Sequence, residues 1–138
     1  MPTQEIKETD WQQFCERFEE AHRGALITLD VVYHDGTTAM LARNEPLRFF
    51  RFDKNSGCSD TIVMELGGAG QVTQHEIVEP IHLRLRATQG SQKILEIDAE
   101  SGSVEMHFRS GRIGAMLKDF EATSPEEMGR EGGRVVRR

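Results

Sequence analysis

The chain has 138 residues and a net charge of −6, with 37% hydrophobic and 29% charged residues. This length suits one domain with its own core, and the composition is too mixed for a disordered chain. The acidic excess lies in residues 1–109, which argues against nucleic-acid binding because phosphate backbones are themselves anionic.

The first predicted element is a helix from about residue 10 to residue 22. Its apolar side chains recur at i, i+3, i+4 and i+7, at Trp11, Phe14, Cys15 and Phe18. Thr9 with Gln12, or Asp10 with Gln13, forms a candidate capping box at the start. Gly24 is well placed to end the helix.

From Ala25 onward, apolar and polar residues alternate as they do in strands with one buried face. We predict seven or eight short strands, over 25–33, 37–43, 47–52, 62–66, 72–78, 81–87, around 95–97 and over 104–108. Pro46 is expected to separate the second strand from the third. No strand–helix–strand alternation occurs, so the sheet is expected to be antiparallel.

These elements predict an α+β fold over residues 1–109, a single domain. Its N-terminal helix packs on an antiparallel β-meander, which is expected to curl into a barrel or roll. Residues 110–138 are predicted to form a C-terminal extension, with a short helix near 113–120 and a disordered end.

The chain contains no apolar run of the roughly 18 residues that a membrane span needs. Residues 1–5 lack the basic and apolar regions of a signal peptide. Cys15 and Cys58 form no metal-ligand spacing. The sequence does not decide whether the two cysteines form a disulfide, although nothing indicates an oxidising compartment. We therefore expect a cytoplasmic protein without a membrane partner.

Sequence motifs of catalysis are absent. No phosphate-binding loop, serine-hydrolase elbow or zinc-protease motif occurs, and the histidines have no short-range ligand spacing. No catalytic residue, metal ligand or cofactor is therefore assigned, although distant strands can still assemble a metal site. Whether the chain is an enzyme stays open, with binding favoured.

The last three predicted strands define a candidate site on the face of the sheet opposite the core. A three-residue loop at 89–91 would pair Leu83 with Ile97, and a two-residue turn at 101–102 would pair Ile97 with Met106. The outer face would then hold two rows across the three strands. One row is His82, Asp98 and Glu105, and the other is Arg84, Glu96 and His107. A histidine beside carboxylates suits a metal or an acid–base pair. Solvated cross-strand ion pairs are the competing interpretation.

Two functional hypotheses follow. The first is a non-enzymatic binding or protein-interaction module, a candidate homo-oligomer through a sheet edge or through the region of Phe49, Phe50 and Phe52. Core packing of these aromatic residues is the alternative. The second hypothesis is a small enzyme or metal-dependent ligand binder that uses the histidines and carboxylates of the outer face.

The chain also resembles a family of small bacterial proteins catalogued only as a domain of unknown function. The resemblance covers about residues 9–109 and lies in five segments, which are Trp11-x-x-Phe14-x-x-x-Phe18, His22-x-Gly24-Ala25-Leu26-Ile27-Thr28-Leu29, Glu45-Pro46-Leu47, His75-x-Ile77 and Pro80-x-His82-Leu83-x-Leu85. It implies a bacterial origin and a stand-alone domain. It brings no catalytic residue, cofactor or partner.

Overall fold

The helix predicted from the apolar spacing is present. The computed structural model describes residues 3–54, 59–68, 70–87 and 92–110, and it places α1 at Trp11–His22, directly after a short 3-10 turn at Glu8–Asp10. Neither candidate capping box forms, because Asp10 stands at the N-cap without a side-chain hydrogen bond. Gly24 ends the helix as predicted, with a φ of 89° that glycine adopts most readily.

Eight strands form one antiparallel sheet within the described residues. They are β1 (Thr3–Glu5), β2 (Leu26–Tyr33), β3 (Thr38–Asp53), β4 (Thr61–Gly68), β5 (Gln71–Val78), β6 (Pro80–Ala87), β7 (Gln92–Ala99) and β8 (Gly102–Arg109). Their order is β1-β6-β7-β8-β2-β3-β4-β5. Two meanders, β2 to β5 and β6 to β8, are therefore joined by the pairing of β8 with β2. The α+β class and the antiparallel sheet are confirmed.

The sheet is curled but open. β5 comes close to β7 across the interior, yet the described strands leave β1 and β5 as the two edges. The sheet therefore does not close into a barrel.

No helix in the described part of the chain has both the length and the apolar character that crossing a bilayer requires.

The separation of strands at Pro46 is wrong, because β3 runs through it as one strand of 16 residues. β3 changes neighbours at this point, pairing with β2 up to Pro46 and with β4 from Leu47. A proline is tolerated where a strand passes between two ladders, since its missing N–H breaks neither of them. The strand β1, which has only three residues, was not predicted.

The core lies between α1 and the concave face of the sheet. The Phe18 ring is 5.3 Å from Phe50 and 5.1 Å from Phe108, and the Trp11 ring is 5.5 Å from Phe52, each measured between ring centroids. The predicted inward side chains of β6, β7 and β8 are buried, namely Leu83, Leu85, Leu95, Ile97, Met106 and Phe108. The alternation of the sequence therefore assigns the two faces correctly.

One acidic residue on the buried side of α1 ties the helix to the sheet. Glu19 accepts a hydrogen bond from the Phe50 backbone N–H at 3.0 Å, on the part of β3 that β2 no longer covers. Arg23 and Arg51 donate to the same carboxylate at 2.5 and 3.4 Å. Glu19 thus satisfies a strand-edge donor that would otherwise be buried without a partner.

Residues 110–138 were predicted as an extension. Apart from Ser110, they lie outside the described residues, as do the expected helix near 113–120, the expected disordered end and Cys58.

Candidate functional site

All six predicted site residues lie on the outer face of the sheet, the side opposite α1. Each alternates with a buried core residue along β6, β7 or β8. His82 is exposed, and the other five are half-buried, namely Arg84, Glu96, Asp98, Glu105 and His107. Charged groups that keep only part of their hydration depend strongly on their neighbours, so the register decides what this face can do.

The predicted register is right for one hairpin and wrong for the other. β6 and β7 pair His82 with Asp98 and Arg84 with Glu96, as predicted. Between β7 and β8 the prediction is wrong by two residues. Glu96 faces Glu105, and Asp98 faces Ser103. The two predicted rows across all three strands therefore do not form.

Gly102 explains the shift. The prediction placed it in the turn, but it is the first residue of β8, where it faces Ala99 of β7 and Tyr33 of β2. Its φ is 148°, and a Cβ atom there would lie 2.4 Å from the Val32 carbonyl oxygen. Only glycine allows β2 to approach this closely, so the turn consists of Glu100 and Ser101 instead.

The observed register creates a row of facing residues across five strands. It runs Glu5, Arg84, Glu96, Glu105, Asp30, from β1 through β6, β7 and β8 to β2. We call these residues the outer row. One guanidinium group stands among four carboxylates, and Glu96 faces Glu105 directly. Like charges in facing positions repel each other, so the outer row favours a cation.

Two of the carboxylates on this face, those of Asp98 and Glu5, have partners away from its centre. Arg84 donates to Asp98, which also accepts a hydrogen bond from the Ser103 hydroxyl at 2.7 Å. His82 Nδ1 lies 2.7 Å from a carboxylate oxygen of Glu5. The Arg84–Asp98 contact is a cross-strand ion pair of the kind that the competing interpretation describes.

Asp30, Glu105 and His107 form a different arrangement, which we call the His107 cluster. His107 Nε2 lies 3.3 Å from Asp30 Oδ2 and 3.4 Å from Glu105 Oε1. The Nε2 atom is fully buried, and no hydrogen bond to it forms in the described structure. Arg86 donates to the other Glu105 oxygen, Oε2, at 3.3 Å, which leaves Oε1 facing the imidazole.

Sequence reasoning found Glu105 and His107 but missed Asp30. The alternation along β2 already places Asp30 opposite the core, because Ile27 and Leu29 are buried. What the sequence does not indicate is that β2, far away in the chain, pairs with β8. Long-range strand pairing has no local signal, so the third member of the cluster could not be assigned.

A surface cavity of about 420 Å³ adjoins the His107 cluster. His107 itself lines it, together with Thr28 and Asn44, whose side chains contact each other. Asn44 has a φ of 50°, an uncommon backbone conformation. The cavity has space for several water molecules or a small ligand beside the imidazole.

A second histidine makes a serine–histidine contact. His22 Nε2 lies 2.6 Å from the Ser110 hydroxyl, and Nδ1 lies 3.1 Å from the Phe18 carbonyl oxygen. A nucleophile and its base share this arrangement. However, His22 is only 4% exposed and its ring stacks on Phe18 at 4.4 Å. We interpret the pair as a link between the end of α1 and the end of β8.

The other residues singled out in the sequence are mostly part of the core. Phe50 and Phe52 are buried, whereas Phe49 is half-buried beneath the Arg51 guanidinium, which lies 4.5 Å from its ring centroid. The candidate aromatic surface therefore consists of Phe49 alone. Cys15 is a free, buried thiol, and burial raises its pKa, so it is not a reactive nucleophile.

Comparison with curated proteins and with solved structures finds no match. A family profile does match the chain over residues 2–114. This range contains α1, all eight strands and the His107 cluster. The chain therefore belongs to the Family of unknown function (DUF5335).

Proposed function

We propose that the domain is a binding module for a divalent cation, held by Asp30, Glu105 and His107. The observation that carries this proposal is the convergence of one imidazole nitrogen and two carboxylate oxygens, all within 4.8 Å of one another. Glu105 and His107 are two residues apart on β8, so both point to the outer face. Asp30 faces Glu105 from β2.

The separations within the cluster suit a metal better than a hydrogen bond. The contacts of 3.3 and 3.4 Å from His107 Nε2 are long for N–H···O hydrogen bonds. A tetrahedral zinc ion with bonds of about 2.0–2.1 Å separates its ligands by about 3.3–3.4 Å. A cation between the three atoms would also give the buried Nε2 the partner that it lacks in the described structure.

The surrounding charges favour a cation as well. Asp30 and Glu96, both in the outer row, have no arginine contact among the described residues. Arg86 contacts Glu105 through Oε2 only, and a divalent ion at Oε1 would further offset the repulsion between Glu96 and Glu105. Mixed imidazole and carboxylate donors suit zinc or manganese more than magnesium or calcium. Of the three proposed ligands, His107 also lines the neighbouring cavity.

Thermal melting of the metal-free protein with added Zn²⁺, Mn²⁺, Mg²⁺ or Ca²⁺ tests the proposal. An ion that binds only the folded state stabilises it by about 2.7 kcal/mol at a concentration 100 times its Kd. We expect Zn²⁺ or Mn²⁺ to raise the Tm. Asp30→Asn and His107→Ala should remove this increase.

Matched controls come from the same face. Asp98→Asn and His82→Ala remove a carboxylate and an imidazole outside the His107 cluster, so the increase in Tm should remain. If no cation raises the Tm of the wild-type protein, or if Asp30→Asn responds like the wild type, the proposal is wrong.

A bacterial cytoplasm, which we propose as the location, is supported by the sequence alone.

A further inference from the structure

β5 is a regular edge strand of the sheet that the structure describes. It has eight residues, pairs with β4 without a bulge, and contains neither proline nor lysine. Proteins commonly protect a regular edge with such features. No described strand pairs with its other side.

A hydrogen bond at the end of β5 determines which of its backbone groups face β4 and which face the open edge. The Glu79 N–H donates to the Asp60 carbonyl oxygen at 2.8 Å, and facing residues in an antiparallel ladder exchange hydrogen bonds at every second position. The backbones of Thr73, His75 and Ile77 are therefore directed toward β4. The backbone groups at the alternate positions are directed to the open edge, namely those of Val72, Gln74, Glu76 and Val78.

We propose that two copies of this chain pair antiparallel through the open edges of β5, with the twofold axis at His75. This register places Val72 opposite Val78 of the second copy and Gln74 opposite its Glu76. By symmetry each pair occurs twice. All of these positions direct their backbone N–H and C=O groups to the edge, so each pair can exchange two hydrogen bonds.

The side chains favour this register over its neighbours. Val72 and Val78 are 43% and 52% exposed on the outer face, and the pairing would cover both. Gln74 Nε2 donates to Glu76 of its own strand at 3.1 Å, and its second amide hydrogen can be donated to the Glu76 carboxylate of the second copy. A shift by two residues in one direction would place Glu76 opposite Glu76, and a shift in the other would place Val72 opposite Glu76.

The partner that this edge fits is therefore a second copy of the chain. Glu76 is the only charged residue of β5, and the symmetric register gives it an amide rather than another carboxylate. The two His75 side chains, on the concave face, would approach each other at the axis. Burial lowers the pKa of His75, which favours neutral rings that do not repel each other.

Charge substitution tests both the edge and the register. The wild-type protein is expected to be a dimer by size-exclusion chromatography with light scattering. Gln74→Glu places two carboxylates in facing positions twice per dimer, so the dimer dissociation constant should rise on the order of tenfold. The double variant Gln74→Glu with Glu76→Gln exchanges the two groups and should return the dissociation constant to the wild-type value.

Gln12→Glu on α1 adds the same charge away from the edge and should leave the dissociation constant unchanged. Thermal melts of the variants verify that each of them folds. A wild-type chain that is monomeric at millimolar concentration overturns the proposal. The proposal is also overturned if Gln74→Glu leaves the dissociation constant unchanged, or if the double variant binds no more tightly than Gln74→Glu.

Discussion

At the scale of single residues, Glu19 is the charged side chain that joins the helix to the sheet. It is an acid on the buried side of α1, and it accepts the Phe50 N–H while contacting Arg23 and Arg51. We expect Glu19→Ala to destabilise the fold by about 1–3 kcal/mol, because the Phe50 donor stays buried without an acceptor. Glu19→Gln keeps an acceptor and should cost less in urea unfolding.

The same residue makes stability depend on pH. Burial raises the pKa of Glu19, but the Phe50 N–H, Arg23 and Arg51 together hold it below its usual 4.5. A carboxyl group with a lowered pKa stabilises the fold above its unfolded pKa, and that stabilisation is lost as the pH falls through the folded pKa. The stability difference between wild type and Glu19→Gln should therefore shrink in acid, and an equal difference at pH 7 and pH 3 would contradict this assignment.

At the scale of elements, the close approach of β8 to β2 depends on Gly102. Gly102→Ala places a Cβ atom 2.4 Å from the Val32 carbonyl oxygen, on a backbone that also has a positive φ. We expect a loss of about 2–3 kcal/mol or more in the free energy of unfolding. The added methyl group would push β8 away from β2 and so separate Asp30 from Glu105. Cation binding should therefore weaken as well.

Gly36 provides the control, in the turn between β2 and β3. Its φ is 90°, but a Cβ atom added there would meet nothing within 4 Å. Gly36→Ala should therefore cost only the backbone strain, about 1 kcal/mol. Equal losses for the two variants would indicate that the contact between β8 and β2 is not tight.

The elements also mark how far the sequence predicts this structure. Alternation assigns both faces of β6, β7 and β8 because one face is buried and the other is not. Register depends on single turn residues, so taking Gly102 for a turn residue shifted β8 by two positions. Strand neighbours depend on contacts between distant segments, which is why Asp30 was missed and why the three residues of β1 carried no signal.

At the scale of the whole molecule, the two proposed surfaces lie on different parts of one sheet. The His107 cluster bridges β8 and β2, while the open edge belongs to β5, with β3 and β4 in between. Pairing through β5 would therefore leave the cation site accessible. Gln74→Glu should alter the oligomeric state without altering the increase in Tm with zinc, so the two proposals can fail separately.

The core is expected to make the domain unfold as one unit. A single cluster of buried residues includes α1 and strands from both meanders, with Phe18 in contact with Phe50 of β3 and Phe108 of β8. Phe18→Ala should cost about 3–5 kcal/mol, a large share of the roughly 5–15 kcal/mol typical of a domain. Phe49→Ala, which truncates a half-buried phenylalanine on the outer face, should cost much less.

Trp11, the only tryptophan, contacts Phe52 beneath α1. Its fluorescence therefore reports on the helix–sheet contact, while far-UV circular dichroism reports mainly on the strands. The two urea transitions should coincide in the wild type, since α1 and both meanders share one core. If fluorescence changes before the dichroism, or if Phe18→Ala costs no more than Phe49→Ala, then α1 is only loosely attached to a sheet that is stable without it.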